Sequence, residues 1–127
     1  MLFRSVNVEG QLMVLMANRY ILPAGLEYQK QVAQSVSAVK SAGGVSAEGK
    51  KLLASATKLT DNLRKRTDKL AHALDHSGGA PVKHAKHFRD AVIPAMAAVR
   101  ETADALESVI PHGQWPLATY REMLFIK

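Results

Sequence analysis

The sequence predicts an all-α protein: an up-down-up bundle of three long, proline-kinked helices closed by a short C-terminal helix. Three observations carry this expectation. Apolar residues recur every three or four positions through three long segments. Glycine pairs at Gly43-Gly44 and Gly78-Gly79 separate those segments. The 8 glycines and 5 prolines are grouped rather than scattered, so they punctuate a few long elements instead of many short strands. With 127 residues the chain is one domain long. Short connections between long helices make neighbours antiparallel, and about 30 residues of helix span roughly 45 Å.

Helix 1, from about 8 to 40, carries Leu12, Leu15, Met16, Leu22, Leu26, Ala33, Val36 and Val39, a loose stripe weakened by Gly10 and Gly25. Helix 2, from about 46 to 76, repeats Leu52, Ala56, Leu59, Leu63, Arg66, Leu70 and Ala73, with Ser46 as N-cap and Glu48 in the first turn. Arg66 interrupts that stripe and is expected to snorkel or to face an interface. Helix 3, from about 81 to 110, has the clearest pattern: Ala85, Phe88, Val92, Ala95, Val99, Thr102, Leu106 and Val109. Thr102 is its one polar interruption. Pro23 and Pro94 fall inside helices 1 and 3, where each deletes the hydrogen bond to the carbonyl four residues back at about 3 kcal/mol. Kinks are expected at Arg19 and Asp90. Because helices 1 and 3 would run parallel, the two kinks should also share a height.

Past helix 3, Pro111-His112-Gly113-Gln114-Trp115-Pro116 holds too many breakers for a helix to continue. Thr119-Tyr120-Arg121-Glu122 then has the spacing of a capping box, so a last helix should begin at Thr119. Trp115, Leu117, Tyr120, Leu124 and Phe125 are a large apolar load for this tail. They are the candidate interface residues, packing on the bundle itself or on a partner.

Composition narrows the function classes. Apolar residues make up 47% and charged residues 22%, values of a soluble globular protein and not of a disordered one. Without cysteine there is no disulfide scaffold, no thiolate metal site and no thiol nucleophile, and a reducing, cytoplasmic setting fits. No apolar run approaches the roughly 20 residues that span a bilayer, and the start lacks a signal-peptide pattern. Membrane partners are therefore not expected. The charge of +6 permits contact with polyanions without requiring it.

Four histidines could gather at one end of the bundle: His72 and His76 stand four apart at the end of helix 2, His84 and His87 three apart at the start of helix 3. These spacings suit metal ligation. Against that, Lys83, Lys86 and Arg89 crowd the same end, and solvated histidines are the expectation. The bases of helix 2, Lys50, Lys51, Lys58, Arg64, Lys65, Arg66 and Lys69, could touch an acidic partner or nucleic acid. Interleaved acids and the lack of alternating aromatics read instead as a solvated face, so nucleic acid is not an expected partner. The glycines do not have phosphate-loop spacing, and the serines sit in helical or cap settings rather than on a nucleophile elbow. No catalytic, metal or cofactor-binding residue is assigned.

The ends of the chain carry a family resemblance. Ser5-Val6-Asn7-Val8-Glu9-Gly10, Met16-Ala17, Ile21-Leu22-Pro23-Ala24, Glu27-Tyr28-Gln29 and Val32-Ala33 occur in the order found where the C-terminal helical region of type III glutamine synthetases begins. Phe88-Arg89-Asp90, Val92-Ile93-Pro94-Ala95-Met96 and the closing Trp115-Pro116-Leu117-Ala118-Thr119-Tyr120-Arg121-Glu122-Met123-Leu124-Phe125 are similar to its third helix and ending. Between Ser41 and Pro81 only the amphipathic pattern agrees. The resemblance implies a cytoplasmic piece of an enzyme that joins glutamate and ammonia using ATP and divalent metal ions in multi-subunit rings. The metal- and phosphate-handling residues of that enzyme lie upstream of the matched region, so none is carried over. What is implied is a non-catalytic domain whose partners are the catalytic part and neighbouring subunits of a homo-oligomer. The alternative left by the residues alone is a free-standing basic helical adaptor.

Overall fold

Helix dominates the computed structural model of the chain, which describes residues 2–75 and 85–117, with side chains from residue 7 onward. The described residues form α1 (Leu2–Met16), a π-helical turn (Ala17–Ile21), α2 (Leu22–Ser41), α3 (Ala47–Asp75), a second π-helical turn (Phe88–Val92), α4 (Ile93–Val109) and a 3₁₀ turn (His112–Gln114). The fold class is all-α. Helix 1 is the unbroken run of α1, the first π turn and α2, so it begins about six residues earlier than its apolar stripe implied. The turn at Gly78-Gly79 and the helix expected from Thr119 lie outside the described residues.

The glycine pair ends α2 as its chemistry requires. Gly43 has φ +89°, a left-handed conformation that disfavours side chains. Its N–H bonds Lys40 O at 3.0 Å and that of Gly44 bonds Val39 O at 2.9 Å, the paired closure of a Schellman turn. The chain re-enters helix at once, with Lys50 N–H on Ser46 O at 2.9 Å.

Contacts fix how the helices run. Gly10 lies against Leu74, Asn18 bonds Arg64, Gly25 lies against Thr60 and Gly49 against Val36. Positions on α3 thus descend as those on helix 1 rise, which makes these two antiparallel. Ala73 meets His87 and Arg66 meets Ala98 and Thr102, so α3 and α4 are antiparallel as well. The helix α3 has a partner on each of two edges. That explains its wide buried set, Ala56, Thr60, Leu63, Thr67, Leu70, Ala73 and Leu74, which departs from the expected stripe by adding Thr60, Thr67 and Leu74. Leu52, expected inside, is exposed.

Helix 1 corrects its predicted stripe. Its buried residues are Gly10, Ala17, Ile21, Gly25, Tyr28 and Val32, whereas Leu12, Leu15 and Leu26 are 52%, 45% and 52% exposed. The small residues let the backbone of helix 1 approach α3 closely. A Cβ on Gly25 would sit 3.0 Å from Thr60 Oγ1, and one on Gly10 3.0 Å from Leu74 Cδ2. The glycines that weakened the pattern in sequence are the positions that make the contact.

Arg19 and Asp90, where kinks were expected, are the middle residues of the two π turns. In each turn the residue before the proline bonds five back: Leu22 N–H to Ala17 O and Ile93 N–H to Phe88 O. The proline then takes the second position of the regular helix that follows, where a missing N–H is tolerated. The shared height is not found. Asn18, in the first π turn, bonds Arg64, whereas His87, just before the second, bonds Ala73, roughly two and a half turns further along α3.

Candidate functional site

The two polar interruptions of the sequence stripes prove to be partners. Arg66 Nη1 donates to Thr102 Oγ1 at 2.5 Å and to Ala98 O at 3.3 Å, and Thr102 Oγ1 donates to Ala98 O at 3.0 Å. Thr102 is 2% exposed and Arg66 half-buried. The hydroxyl therefore accepts from the guanidinium and donates to the backbone, so both of its roles are filled across the α3–α4 seam.

About two turns further along α3, His87 Nε2 lies 2.6 Å from Ala73 O. A carbonyl only accepts, so Nε2 carries the proton. Ala73 lies close to Asp75, the last described residue of α3, and His87 ties it to the next helix. Expectation had placed this histidine in solvent; it is half-buried, with its ring edge-on to Phe88. His72 is exposed on α3, while His76 and His84 lie outside the described residues. Among the described residues no three His, Asp, Glu or Cys side chains are grouped to hold a metal ion.

Between these two contacts opens a cavity of about 540 Å³. The buried Ala73 and Ala95 and the half-buried Ala91 and Ala98 form its depth. Lys69, His72, Asp90 and Pro94, all exposed, stand at its mouth, with Arg66 and His87 on its walls. Sequence reading noticed most of these charged residues, but assigned them to separate histidine and basic-face groups.

A second groove, of about 360 Å³, runs between α1 and α4, lined by Leu12, Met13, Met16, Ile21, Val99 and Leu117 among others. Beside it Val8, Leu12 and Leu15, one helical face by spacing, are 61%, 52% and 45% exposed. Trp115 and Leu117, two of the tail residues singled out as interface candidates, are half-buried against this chain's own core. Gln114 Nε2 ties the same tail to Gln31 Oε1 at 3.0 Å. Tyr120, Leu124 and Phe125 lie outside the described residues.

The basic face of α3 is partly neutralised. Arg64 pairs with Asp68 at 3.4 Å and bonds Asn18 at 2.8 Å, and Lys51 pairs with Glu48 at 3.3 Å. Arg66 has left that face for the seam. Among the described residues no helix is long and apolar enough to cross a membrane.

Comparisons with known proteins fall on the same helices. A family described as the glutamine synthetase C-terminal domain matches residues 2–40, which is α1, the first π turn and nearly all of α2. A type-3 glutamine synthetase of Dictyostelium discoideum is 25% identical over 132 residues, taking in 98% of this chain and 18% of that protein. The chain thus spans less than a fifth of the curated relative's length. No solved structure matches it. By its first long helix, and again by an alignment over nearly its whole length, this chain resembles the C-terminal domain of type III glutamine synthetases.

Proposed function

We propose that the chain is a non-catalytic helical domain of a type III glutamine synthetase, an ATP-dependent glutamate–ammonia ligase, and that it supports the catalytic part or its oligomeric assembly. The observation that carries this reading is the alignment of 98% of the chain with 18% of a type-3 glutamine synthetase. Two features support it. The described residues hold polar groups that knit helices together, such as Arg66 with Thr102. The helix matched by the family also exposes Val8, Leu12 and Leu15, apolar surface suited to a neighbour. ATP and divalent metal would then be bound by the catalytic part. The test is a long-chain protein from which the segment corresponding to residues 1–127 is deleted, read by native mass and glutamine formation. Smaller assemblies with reduced activity are expected. A deleted enzyme with unchanged native mass and unchanged activity would contradict the proposal.

A further inference from the structure

The 540 Å³ cavity between α3 and α4 has a composition that packing does not explain. Its depth is alanine and its mouth is charged, and the charges do not cancel. Lys69, on α3, has no hydrogen bond or ion pair among the described residues. Arg66 enters from the same helix, half-buried and held by Thr102 and Ala98, so that its guanidinium is fixed before any ligand arrives. The carboxylate at the mouth, Asp90, lies 3.3 Å from Arg89 and is engaged there. His87 lines the same cavity with its Nε2 pinned to Ala73 O. The wall is also where the backbone leaves α-helical bonding, since Asp90 and Ala91 belong to the second π turn, a feature that recurs at functional sites.

From this arrangement we infer that the cavity is a binding site for a small amphiphilic anion: a carboxylate with a compact aliphatic body. The carboxylate meets Lys69 and the fixed guanidinium edge of Arg66. The aliphatic body covers Ala73, Ala91, Ala95 and Ala98. Each part needs the other. A bare inorganic anion would leave the alanine depth wet, and an uncharged aliphatic molecule would make no charge-assisted contact with Lys69 or Arg66. A cavity of this volume lies within the range of small-ligand sites. The inference concerns the 127-residue chain alone and stands whether or not the chain supports a ligase.

Nitrogen-15 NMR titration of this chain tests it with three probes: hexanoate, hexylammonium and inorganic phosphate. Hexanoate should give saturable shifts confined to amides near Lys69, Ala73, Asp90 and Ala98, with the other two at least about tenfold weaker, the loss that follows from giving up a charge-assisted contact or the apolar body. Lys69→Glu, which removes this cation while leaving both partners of the Arg66–Thr102 contact in place, should weaken hexanoate by about tenfold or more. Ala98→Leu fills the depth while keeping the backbone carbonyl that Arg66 uses, and should abolish the shifts with the fold retained by circular dichroism. Non-saturable shifts, binding of hexylammonium or phosphate as tight as that of hexanoate, or unchanged affinity in Lys69→Glu would each overturn the site.

Discussion

At Gly25 a single methyl group sets two effects against each other. Alanine is better than glycine within a helix by about 1 kcal/mol, but its Cβ would lie 3.0 Å from Thr60 Oγ1. Thr60 is 1% exposed and donates to Ala56 O at 2.8 Å, so it has little room to yield, and overpacking of this kind costs about 1–3 kcal/mol. Gly25→Ala should therefore destabilise by roughly 1 kcal/mol in urea unfolding. On a Thr60→Ala background the crowding is gone, and the same change should stabilise by about 0.5–1 kcal/mol. The buried threonines differ in another way. Thr67, 0% exposed, has a hydroxyl without a partner among the described residues, so Thr67→Val should raise stability by about 1 kcal/mol, whereas Thr60→Val forfeits a hydrogen bond and should not. Thr102 and Arg66 could be read as anomalies from the sequence, because each breaks an apolar stripe. That they are each other's answer was not legible, since periodicity gives the face of a helix and not its register against the next. A double-mutant cycle of Arg66→Met and Thr102→Val should report a coupling of about 1–2 kcal/mol.

The ends and breaks of the helices were more readable than their faces. Gly43-Gly44 stops α2 because only glycine suits the left-handed position, and local chemistry of that kind needs no tertiary partner. Prolines located the disturbed bonds at Arg19 and Asp90 for a similar reason. The way the backbone resolves the disturbance, by bonding five residues back, depends on the helix staying packed on both sides and left no trace in the pattern. The face of helix 1 was misread because large residues were weighed above small ones: Leu12 and Leu26 point outward while Gly10, Ala17 and Gly25 make the seam. The end of α3 offers a test at this scale. His87→Ala should remove the donor to Ala73 O and destabilise by about 1 kcal/mol, with the amides of the last turn of α3 exchanging faster; His87→Gln, which can still donate, should recover part of the loss.

Across the whole molecule, α3 is the shared partner, with helix 1 along one edge and α4 along the other. The fold class followed from three long amphipathic segments, but the candidate site did not. Lys69 comes from α3, whereas Asp90 and Ala98 come from the helical run that ends in α4, and they meet only after the two dock. Apolar surface left over on helix 1 separates the needs of the fold from those of a neighbour. Leu12→Glu combined with Leu15→Glu should leave the melting of this chain nearly unchanged, because both side chains are about half exposed. In a long-chain enzyme the same pair should lower the native mass, and a double variant that assembled normally would show that this face has no neighbour. The π turns bear on how such a molecule tolerates changes of length. Each holds one residue more than an α-helical turn, and the surplus is absorbed where it arises, so that every later side chain keeps its facing instead of rotating by about 100°. Loss of a single codon within residues 17–21 or 88–92 is thus the rare kind that a packed helix can accept, and a homologue without the proline would be expected to align with a one-residue gap there.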